Sequence, residues 1–113
     1  MQTEKILVQA PEGIPQRMVT EYVNRCLAGL PKAVEALNRS DYGQLRIFGH
    51  RLRGSGGAYG IPALTEIGLA METAALQDDA SQLWRQVAAL QACLEQIDIL
   101  PDGGPPDAVR DQP

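Results

Sequence analysis

A chain of 113 residues can build one modest hydrophobic core but not two. A net charge of −4 and an isoelectric point near 4.8 exclude a broad nucleic-acid footprint, which needs a clustered positive surface. No apolar run approaches the roughly 20 residues that span a bilayer, and Met1 to Pro15 has no signal-peptide pattern, so a cytoplasmic protein without a membrane partner is expected.

The chain opens with the β-prone run Glu4-Lys5-Ile6-Leu7-Val8-Gln9, ended by Pro11, Gly13 and Pro15, which predicts an extended N-terminal arm over residues 1–13. From Pro15 the apolar positions Val19, Val23, Cys26, Leu27, Leu30, Val34 and Leu37 recur at three and four, the period of a helix that Pro15 can begin. Pro31 inside this pattern predicts a kink or short break. Asn38 to Asp41 supplies turn chemistry, with Ser40 or Asp41 capping a second helix that runs to about Ala58 and closes at Tyr59-Gly60. Ile61-Pro62 begins a third helix, whose stripe of Ile61, Leu64, Gly68, Met71 and Ala75 faces the core. After the turn Gln77-Asp78-Asp79, a helix capped by Asp79 or Ser81 carries Leu83, Val87, Leu90, Leu94 and Ile97 at the spacing of a bundle seam, with Trp84 expected to pack beside it. Cys26 and Cys93 fall at apolar positions and read as buried thiols rather than a bridge. From Pro101 the composition turns to Pro, Gly and Asp, which predicts a mobile tail over 101–113. Residues 14–100 thus fit an all-α, antiparallel up-down-up-down four-helix bundle with a kinked first helix and a short N-terminal arm.

The stretch Gly49-His50-Arg51-Leu52-Arg53-Gly54-Ser55-Gly56-Gly57-Ala58-Tyr59-Gly60 holds the only histidine of the chain. On a helix, Arg46, His50, Arg53, Gly54 and Gly57 share one stripe, while Leu45, Phe48, Leu52 and Ser55 lie opposite, so the imidazole points outward. Glycines inside a helix cost about 0.5–1 kcal/mol each relative to alanine, so their number here suggests a surface kept low for another protein. Gly54 and Gly57 lie on the histidine's own face, and Gly49 is expected to clear its other flank. Arg46, Arg51 and Arg53 beside the ring suit an incoming anion of the size of one phosphoryl group.

A surface histidine without a role is the plainest reading of His50. A metal site lacks ligands, since the chain has no second histidine and its two cysteines are remote in sequence. A serine nucleophile system fails because Ser55 lies on the buried side, and a phosphate-binding loop fails because the Lys-Ser/Thr pair is missing and no strand precedes it. The imidazole acting as a phosphoryl acceptor remains.

The run GHRLRGSGGAYG resembles the phospho-acceptor motif of histidine-containing phosphotransfer (HPt) domains, His-x-Leu-Lys-Gly-Ser followed by small residues and a further glycine. IPALTEIGLAMETAA is similar to the next helix of that family, and the likeness extends from about Ile14 to Ile99. The resemblance implies that His50 is phosphorylated, that Arg53 stands where lysine is usual, that Gly54 is the low neighbour, and that Ser55 packs the helix. Glu72 matches a position from which a polar side chain reaches the histidine. By its place at the edge of the core stripe it is either a solvated carboxylate or a group that orients the ring through Nδ1. The implied partners are receiver domains of a hybrid sensor kinase and of a response regulator, docking on Ile47, the glycine stripe and the first helix. The receiver would bring the magnesium ion and most of the catalytic apparatus, leaving this chain a monomeric carrier, not an enzyme, with no cofactor of its own. A helical adaptor that binds a receiver without being phosphorylated is the alternative.

Overall fold

The computed structural model describes residues 4–102. Among the described residues four α-helices carry the fold: α1 (Gln16–Asn38), α2 (Tyr42–Gly56), α3 (Pro62–Leu76) and α4 (Ala80–Gln96). Two short strands, β1 (Ile6–Val8) and β2 (Ile97–Ile99), flank them and pair in parallel with Ile6 opposite Ile97. The tail expected from Pro101 lies, from residue 103 onward, outside the described residues.

Periodic apolar residues drive the bundle. Val19 of α1, Leu45 of α2, Leu64 and Met71 of α3, and Leu83 and Leu90 of α4 are fully buried, and each such burial stabilises by about 1.5–3 kcal/mol. Helix starts follow the expected chemistry: the Asp41 carboxylate accepts from the Gln44 amide at 3.1 Å, and Asp79 accepts from Gln82 at 3.0 Å. After α2 a 3₁₀ turn over Gly57–Tyr59 leads to Gly60, whose φ of 83° is the left-handed conformation that glycine adopts without strain.

The closest packing joins α2 to α3 and depends on missing side chains. A Cβ on Gly49 would lie 2.7 Å from the Glu72 amide nitrogen, and one on Gly56 2.7 Å from the Thr65 nitrogen. From the other side, a Cβ on Gly68 would lie 2.6 Å from the Gly49 carbonyl oxygen and closer still to the Arg53 amide. The two backbones therefore meet directly, as bulkier residues would forbid.

Four expectations need correction. Gly49 is buried against α3 and does not clear a flank for a partner, because its open side is filled by the backbone of Gly68 and Glu72. The last helix stops at Gln96, since Ile97 turns extended and its backbone bonds go to β1 instead of continuing the helical ladder. Helix α1 runs from Gln16 to Asn38 without the break considered at Pro31. Trp84 is 43% exposed, because Leu83, Val87 and Leu90 take the inward positions of α4.

Candidate functional site

The site grows from the middle of α2. Leu45 and Leu52 are buried, and their spacing of seven turns the opposite stripe, Arg46, His50, Arg53 and Gly54, toward solvent. Ser55 fixes the helix to α1. Its hydroxyl donates to the Arg51 carbonyl at 2.8 Å, so the Tyr22 hydroxyl is the donor in the 2.6 Å contact with Ser55 Oγ. Tyr22 also stacks on Tyr59 with ring centroids 4.2 Å apart, and burial raises its hydroxyl pKa well above the usual value.

The His50 side chain is 66% exposed and its Nδ1 lies 3.1 Å from Oε2 of Glu72. The other carboxylate oxygen, Oε1, accepts from Arg53 Nη1 at 2.8 Å. One carboxylate, itself only 13% exposed, thus joins the imidazole to the guanidinium with one oxygen for each. The Arg53 hydrogen bond, assisted by His50, holds the Glu72 carboxyl below the ordinary carboxylate range despite partial desolvation. Glu72 reaches the ring because Gly49 and Gly68 let α3 come against α2 at that level.

The remaining expected residues are also on or near this face. Arg46 is exposed one turn before His50, and Arg51 is exposed one residue after it; among the described residues neither has an ion-pair partner. Ile47 is 45% exposed. Gly54 has open space where a Cβ would stand, and Gly57 is exposed, its amide donating to Thr65 Oγ1 at 2.8 Å. The expected surface therefore assembles from all the named residues except Gly49. Sequence reasoning missed Tyr22 and Tyr59; a tyrosine in the first helix facing Ser55 was the available signal.

A model of the Hpt domain matches residues 17–99, most of the chain and all of the site. The chain belongs to the Hpt domain family. Hpt domains take part in histidine phosphotransfer in two-component systems, where they carry phosphoryl groups and interact with receiver domains. No curated protein and no solved structure matches the chain. In this Hpt domain no helix among the described residues is long and apolar enough to cross a membrane.

Proposed function

We propose that this Hpt domain accepts a phosphoryl group on Nε2 of His50 from the phospho-aspartate of one receiver domain and passes it to another receiver in a phosphorelay. The Glu72 contact carries the proposal. An ionised carboxylate can only accept hydrogen bonds, so the hydrogen between it and the ring is the imidazole's own, on Nδ1. In the neutral imidazole Nε2 then keeps its lone pair, on an exposed ring.

The lone pair attacks phosphorus in line. The N–P bond forms as the P–O bond to the aspartate breaks, and the carboxylate leaves with the electron pair. The ring becomes an N-phosphoryl imidazolium that retains its Nδ1 hydrogen, and the Glu72 charge offsets the new positive charge. No proton has to leave, so the same groups serve the reverse step. Arg53 is drawn toward Glu72, which leaves Arg46 and Arg51 with charge free for the transferring oxygens. The receiver contributes the magnesium ion and most of the catalytic groups, and this chain is a carrier, not an enzyme.

Ile47, Gly54 and Gly57 give the receiver a low surface next to the ring. We further infer a monomer that works in the cytoplasm between a hybrid sensor kinase and a response regulator, its helices running up-down-up-down with a bend in α1 at Pro31. The test is incubation of the full chain with receiver domains charged with radiolabelled phosphate. Label on this chain that is lost in acid, survives base and is absent in His50→Gln is the expected result. Receivers that bind but leave no label would make the protein an adaptor instead.

A further inference from the structure

Helices α1 and α2 leave between them a groove of about 620 Å³. Its floor is apolar, with Leu45, Phe48 and Leu52 of α2 facing Ala33 and Ala36 of α1. Its rim carries Arg25 and Lys32 from α1 and Arg51 from α2, and no aspartate or glutamate lines it. In a chain with 14 acidic and 10 basic residues, this gathers three of the cations on one feature with nothing to neutralise them. Among the described residues none of the three has an ion-pair partner; Arg25 lies 5.8 Å from the centroid of the Tyr22 ring.

Shape and position narrow the occupant. From Tyr22 to Ala36 the groove follows α1 for about 21 Å at 1.5 Å rise per residue, which is longer than a compact small molecule needs. Ile47 and Arg51, three residues before and one after His50, also line it, so a body seated there lies against the phosphoryl-accepting face. The rest of the domain is net negative and repels an acidic partner at a distance, so the local cations both steer the approach and fix its register.

We propose that Arg25, Lys32 and Arg51 determine which receivers this domain accepts, by selecting those that present an apolar ridge of three to four helical turns flanked by carboxylates. A ridge flanked by lysines is rejected by like charge. The inference takes its partner from the phosphotransfer reading, whereas the groove and its charges are independent of it.

Two synthetic 14-residue helical peptides with the same apolar stripe, one flanked by glutamates and one by lysines, test the selection by amide NMR titration of the full chain. The glutamate peptide is expected to shift Leu45 and Phe48 and to bind at least about tenfold tighter at low salt, the gap shrinking at 0.5 M salt. R25Q/K32Q/R51Q should equalise the two, and its own spectrum reports whether it folds; if it does not, Arg51→Gln carries the same comparison. Equal binding of both peptides, binding of neither, or shifts outside the groove would overturn the proposal. With a receiver that labels His50, R25E/K32E should raise KM about tenfold while the saturating single-turnover rate holds; a fall in that rate at unchanged KM would also overturn it. His50→Gln abolishes label but leaves peptide binding intact, so failure of the relay and failure of the groove read differently.

Discussion

Gly68→Ala tests whether the glycine crossing between α2 and α3 builds the site. The added Cβ would stand 2.6 Å from the Gly49 carbonyl oxygen, whereas ordinary contact begins at 3.4 Å. The helices must therefore part by roughly 0.8 Å, since backbone lies on both sides and no flexible side chain can yield. Overpacking of this kind costs about 1–3 kcal/mol, and the helix propensity of alanine returns up to about 1 kcal/mol. A net loss of about 1–2 kcal/mol corresponds to a fall of roughly 4–8 °C in Tm for a domain of this size. Glu72 sits one turn beyond Gly68, so its 3.1 Å contact with His50 would lengthen toward roughly 3.9 Å, past hydrogen-bond range. Thermal unfolding by circular dichroism and ¹⁵N NMR of the imidazole read the two effects. A variant that melts at or above the native temperature, or that keeps its proton on Nδ1 as before, would refute the reasoning.

Gly54→Ala gives the opposite pattern: with open space at its Cβ position, the change should stabilise by about 0.5–1 kcal/mol in thermal melts yet slow phosphotransfer by crowding the receiver. Glu72→Gln replaces an acceptor-only carboxylate by an amide that can accept or donate, and imidazole ¹⁵N shifts should report mixed tautomers with transfer slowed roughly tenfold in stopped-flow assays. Because the folded Glu72 carboxyl titrates below its unfolded value of 4.5, its contribution to stability is present above that pH and lost as pH falls through the folded value. Melting temperatures of the native chain and Glu72→Gln should accordingly differ at pH 6 and converge below 4.5. Burial raises both thiols, Cys26 and Cys93, so alkylation by iodoacetamide at pH 8 should be slow in the folded protein and rapid in denaturant.

Much of the helical frame is visible in local chemistry. Asp41 and Asp79 cap where their positions before apolar runs say they should, and the stripe Ile61, Leu64, Gly68, Met71 and Ala75 is buried as its period requires. The outward face of His50 follows from Leu45 and Leu52 in the same way. What needs two helices at once is less accessible. Glu72 lies 22 residues from His50, and whether it reaches the ring depends on how deeply α3 sinks into α2. Gly49 carries the ambiguity openly: a glycine beside the histidine fits a docking surface and a helix crossing equally well, and only the position of Gly68 decides between them. Ile97 misleads for a different reason, since it continues the helical spacing of Leu90 and Leu94, while its true partner Ile6 is 91 residues away in the chain.

That distant pairing governs where the polypeptide comes and goes. Ile6 lies beside Ile97, and the Gln16 amide bonds to the Asp102 carboxylate at 2.8 Å, so the chain enters and leaves the bundle at a shared pole. A Cβ on Gly60 would stand 3.0 Å from the Gln9 carbonyl oxygen, which puts the far end of the histidine-bearing segment at the same pole. His50 is ten residues back from Gly60, about 15 Å along the helix axis. A neighbouring domain joined at either terminus would therefore be attached beyond that end of the bundle, displaced along the axis from the imidazole.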